Sequence, residues 1–144
     1  MRKANYDKFP STKLTGMLVQ GWDSIISMLK KKMDARKVLA VDLYTGVYEE
    51  EVLDAFSKEF SGRVMNVRDL MKPEKEIQTL TERFMTEDVL FGYVTNLKLE
   101  DYLDADKVAA ARKQISEAKE TIVIIGTGAA VVAPQDAMVV YADM

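Results

Sequence analysis

The chain has 144 residues, 48% of them hydrophobic and 30% charged, with a formal net charge of −3 and a pI near 5.1. That length and apolar content fit one domain with a real core. The acidic balance argues against a nucleic-acid partner, and no apolar run approaches the ~20 residues of a membrane span. Cysteine and histidine are both absent, which removes disulfides, thiolate chemistry, ordinary zinc sites and Ser-His or Cys-His nucleophile pairs. Any catalysis would rest on Asp, Glu, Lys, Tyr or backbone donors. The opening MRKANYDKFPST lacks the apolar stretch of a signal peptide, and the composition suits the cytoplasm.

In chain order, Trp22–Met33 is expected to be a helix with Trp22, Ile25, Ile26 and Leu29 on one face, ending in the basic run Lys30-Lys31-Lys32, where cations complement the helix dipole. Lys37–Leu43 (KVLAVDL) is a nearly continuous apolar strand of the kind buried on both faces. Glu49–Phe60 follows as a helix with acids in its first turn and a Val52, Leu53, Phe56, Phe60 stripe. Arg63–Val67 is a weaker strand, and Pro73–Phe84 a helix with proline at its first position and Ile77, Leu80 and Phe84 spaced for one face. Thr86–Tyr102 has no period and is expected to be a lid-like insertion or a loop over the sheet. Asp106–Ala118 reads as a helix carrying Val108, Ala111, Arg112, Ile115 and Ala118 at helical spacing. Thr121–Ile125 and Ala137–Ala142 complete the strands. Alternation of this kind predicts a three-layer α/β fold: a mostly parallel sheet of about four to five strands with helices on both faces.

Two turns could carry chemistry. Gly126-Thr127-Gly128 follows a strand as a dinucleotide fingerprint would, but the third small position falls at Val131. Pro134 leaves little room for a phosphate-holding helix, and the next strand begins sooner than a parallel crossover normally allows. The residues favour a glycine turn linking two strands over a sheet edge. Asp42–Glu49 (DLYTGVYE) stands where a phosphate loop would run, yet it has one glycine, no lysine, and Glu49-Glu50-Glu51 at the helix start, so acids stabilising a helix entry is the simpler account. Asp42, at a strand's carboxyl end, remains a ligand contact at the sheet crevice. Nine methionines are assigned to core filling.

Several stretches together resemble a known family: Asn5-Tyr6-Asp7-Lys8-Phe9-Pro10, Gly21-Trp22-Asp23, Val38–Asp42 with Thr45-Gly46-Val47, Phe91-Gly92-Tyr93, Gly126–Ala130 and Tyr141-Ala142-Asp143-Met144. They are similar to the N-terminal region of the long, two-part class I mannose-6-phosphate isomerases of Bacteroides-type bacteria, over essentially the whole chain. The resemblance implies a domain like the P-loop nucleoside kinases, without a working phosphate loop, followed in the parent protein by a cupin-type domain. That cupin-type part would hold zinc and interconvert mannose 6-phosphate and fructose 6-phosphate. None of its zinc ligands can fall here, since the chain has no histidine. Residues 1–144 are then expected to be a single non-catalytic binding, docking or regulatory domain at the front of a longer chain, with no metal or cofactor of its own. Its partners would be the cupin-type domain and a small anionic ligand, a sugar phosphate or a nucleotide. That ligand is expected against Asp42, Thr45, Gly46, Gly126, Thr127 and Gly128 at the strand carboxyl ends. A kinase-like nucleotide-binding domain and a structural module that oligomerises through its last strand are the alternatives.

Overall fold

In the computed structural model, residues 9–13, 15–33, 35–88 and 90–143 are described. The Asn5–Lys8 part of the resembling N-terminal stretch, and Met144, lie outside them. The elements are α1 (Trp22–Met33), β1 (Val38–Leu43), α2 (Glu49–Glu59), β2 (Arg63–Asn66), a 3-10 turn (Val67–Leu70), α3 (Glu74–Glu82), α4 (Leu99–Tyr102), α5 (Ala105–Glu117), β3 (Ile122–Gly126), α6 (Ala129–Val132) and β4 (Met138–Ala142). The four strands form one parallel sheet in the order β2-β3-β1-β4. Helices cover both faces, so the three-layer α/β architecture holds.

The apolar runs explain the layering. Every residue of β1 and β3 is buried, and strand alternation sends successive side chains to opposite faces. Leu39, Val41, Val123 and Ile125 join Ile26, Leu29 and Met33 of α1 and Val52 and Phe56 of α2 in one core. Val38, Ala40, Ile122 and Ile124 join Val108, Ala111 and Ile115 of α5 and Ala129 and Val132 of α6 in the other. Trp22 closes the first core edge-on against Phe56, with ring centroids 6.4 Å apart, and its indole N–H donates to Glu51. Among the described residues, the outer strand β4 is covered on the α1/α2 side only. Met138, Val140 and Ala142 pack there, while Val139 and Tyr141 stand exposed on the opposite side.

Three expectations are revised. The Gly126–Gly128 turn does not link two neighbouring strands. β3 and β4 flank β1, and residues 127–137 carry the chain across it as a parallel crossover built on one turn of helix. Pro73 lies one residue outside its helix, at the cap. The Ile77–Leu80–Phe84 stripe is only half-buried, and α3 contributes no residue to either core. Within the aperiodic segment, α4 is helical and backbone-bonded to the rest through the Lys72 N–H to Tyr102 carbonyl bond, 3.0 Å long. Among the described residues no helix is long and apolar enough to cross a membrane.

Candidate functional site

The chain leaves β1 and β3 toward opposite faces. After β1 it enters α2 in one core, and after β3 it enters α6 in the other. Adjacent parallel strands whose exits diverge leave a crevice at their carboxyl ends, the place where open α/β sheets bind ligands. Two chambers open there. One, of about 360 Å³, is bordered by the turn Tyr44–Tyr48 together with Glu49, Glu50, Arg68 and Thr127. The other, of about 300 Å³, shares Glu49, Arg68 and Thr127 and adds Gly126, Met71, Leu99 and Tyr102.

The first wall is a tight turn. The Val47 N–H donates to the Tyr44 carbonyl at 3.2 Å, and the Tyr44 N–H ties the turn to β4 through the Ala142 carbonyl at 2.9 Å. Gly46 sits at φ +107°, a conformation that glycine adopts without a Cβ penalty. Thr45 and Gly46 thus border the first chamber.

The second wall is the glycine turn, and Asp42 holds it. Among the described residues Asp42 is the one buried charged side chain, 8% exposed. Its two oxygens accept the N–H groups of Gly128 at 3.0 Å and Ala130 at 2.9 Å. An internal carboxylate therefore takes the amide donors that the first turn of α6 would otherwise leave unpaired. The Thr127 hydroxyl donates to the Leu43 carbonyl at 3.0 Å, lashing the two walls together. Gly126, at φ +135°, brings the backbone against the 3-10 turn, where an added Cβ would stand 2.9 Å from Cβ of Val67. Of the six residues expected at a ligand, Thr45, Gly46, Gly126 and Thr127 border the chambers. Asp42 and Gly128 brace them from behind.

Two residues that sequence reasoning passed over complete the crevice. Arg68 is placed by the 3-10 turn, which Asn66 caps by accepting the Arg68 N–H at 2.7 Å. Its guanidinium meets a carboxylate oxygen of Glu49 at 3.0 Å, with Arg68 69% and Glu49 20% exposed at the side chain. The other oxygen, Glu49 Oε1, is buried without a hydrogen-bond partner. In the sequence Glu49 reads as part of an acidic helix entry, and nothing around Arg68 marks it out. The crevice thus offers one partly exposed cation, the carboxylates of Glu49 and Glu50, and a pair of turns. Among the described residues no cluster of three or more Asp or Glu could hold a metal ion.

A family model described as Domain of unknown function (DUF8485) matches residues 21–144. No curated protein and no solved structure matches the chain.

Proposed function

We propose, for a chain that belongs to the DUF8485 family, a non-catalytic ligand-binding domain at the front of a class I mannose-6-phosphate isomerase, working in the cytoplasm. Its ligand is a small hydroxylated anion of the sugar-phosphate class, held in the crevice between β1 and β3. The parent reading rests on the ordered sequence resemblance. It places zinc and the interconversion of mannose 6-phosphate and fructose 6-phosphate in a following cupin-type domain.

The observation that carries the ligand class is the Glu49–Arg68 pair at the divergence of the two strands. A buried acceptor without a donor costs about 1–3 kcal/mol, and a sugar hydroxyl donating to Glu49 Oε1 would recover it. The exposed guanidinium of Arg68 presents the fork that phosphate oxygens match. Thr45, Gly46 and Thr127 border the same space, while Asp42 and Gly128 keep its second wall in place.

Calorimetric titration with mannose 6-phosphate, fructose 6-phosphate, ATP and inorganic phosphate tests the ligand. Saturable heat is expected with the sugar phosphates, weakened at least tenfold in Arg68→Ala and several-fold in Glu49→Gln. Heat with ATP alone, accompanied by Mg-dependent turnover, would replace this reading with the kinase-like alternative. No heat with any of the four would overturn the ligand assignment.

A further inference from the structure

A larger cavity lies at the other end of the sheet, where β1 begins. It is a groove of about 850 Å³ floored by apolar side chains, including Val38, Ile115 and Val132. Four cations, Lys32, Arg36, Lys37 and Arg112, border it against two carboxylates, Glu120 and Asp136. Arg112 is partly committed, since its guanidinium donates to the carbonyls of Val131 and Val132. A cationic, apolar groove on a chain of net charge −3 selects an occupant that is both acidic and apolar.

The chain carries such a segment at its surface. Around residues 85–91, Met85, Leu90 and Phe91 are each at least 70% exposed, with the exposed carboxylates of Glu87 and Asp88 between them. Exposed large apolar side chains gathered in one segment mark an interaction surface more often than a plain solvent face. The loop's described residues are also tied to one another. The Thr86 hydroxyl donates to the Phe91 carbonyl, the Leu90 N–H donates to Asp88 at 2.8 Å, and the Tyr93 N–H closes the base onto Phe84 at 2.9 Å. A loop ordered by its own hydrogen bonds gives up little entropy on docking. None of its described residues lines the groove of its own chain.

We propose that the cationic groove at the start of β1 takes the acidic-apolar loop 85–91 of a second copy of this chain. Glu87 and Asp88 would meet Lys32, Arg36 and Lys37 at the rim, and Leu90 and Phe91 would cover the floor. The contact joins two different surfaces, so it either closes reciprocally into a dimer or propagates head to tail.

Light scattering on the eluted chain, residues 1–144, tests this at low and at high salt. A mass of at least twice 16.2 kDa is expected at low salt, falling as salt screens the rim charges. Glu87→Lys with Asp88→Lys should give a monomer, as should Arg36→Glu with Lys37→Glu, each keeping the far-ultraviolet spectrum of the parent. Mixing the two reversed variants should restore association, because each then supplies what the other lost. A monomeric parent, an assembly indifferent to both reversals, or a mixture that stays monomeric would each overturn the proposal. Retained assembly in both reversed variants would instead direct attention to the exposed edge of β4.

Discussion

Asp42 defines how this fold treats charge. A lone buried carboxylate is costly unless it is fully hydrogen-bonded, and here two amide groups of the crossing turn satisfy it. Asp42→Asn keeps the shape but turns an NH₂ toward one of those N–H groups. Hydrogen bonds to a charged acceptor contribute about 1.5–3 kcal/mol, so a loss of about 2–3 kcal/mol is expected in urea unfolding. A loss below about 0.5 kcal/mol, the range of an ordinary surface change, would mean that the brace contributes little. Position 42 was legible as special because an acid stands at a strand's carboxyl end. Its partners were not, since they lie 86 and 88 residues away. Gly126 carries a matching constraint. Gly126→Ala combines a positive φ with a Cβ overlap at Val67 Cβ, and is expected to lower stability by about 1–3 kcal/mol in urea unfolding; an unchanged midpoint would refute the constraint.

At the level of elements, period and propensity located the long pieces well. α1 matches its expected span, β1, β2 and β4 differ from theirs by a residue at one end, and β3 is shifted by one residue at both ends. The short pieces escaped: the 3-10 turn, α4 and α6 are each four residues long, too short for a hydrophobic period to register. α6 exists because tertiary contacts cap both its ends, Asp42 at the start and Arg112 at the last carbonyls. A four-residue helix has no independent stability. Arg112→Ala should therefore lower the thermal midpoint by the equivalent of about 1–2 kcal/mol, and Arg112→Lys should recover it only partly because lysine lacks the fork. Equal stability of lysine and arginine at this position would refute the capping role.

For the whole molecule, class and layering were readable from the order of elements, but strand order was not. Nothing local told the chain to cross β1 between β3 and β4. The resulting sheet separates two cores, and Trp22, the single tryptophan, reports on one of them. Ile124 belongs to the other. Ile124→Ala is expected to cost about 2–5 kcal/mol, and to shift the Trp22 fluorescence and far-ultraviolet transitions together, because β3 supplies both cores. Separate midpoints for the two probes would mean that the layers melt independently.

The central place of β1 also governs how the chain is made. Its partners in the sheet are β3, from Val38↔Ile122, and β4, from Leu39↔Met138. On the ribosome this uncommonly apolar strand emerges with no neighbour to pair with until more than eighty further residues have been added. At ordinary elongation rates that is roughly 4–17 s. Contacts so distant in sequence form slowly. The nascent chain therefore carries Val38–Leu43 with both of its hydrogen-bonding edges unpaired through most of synthesis, a ready template for pairing with another chain.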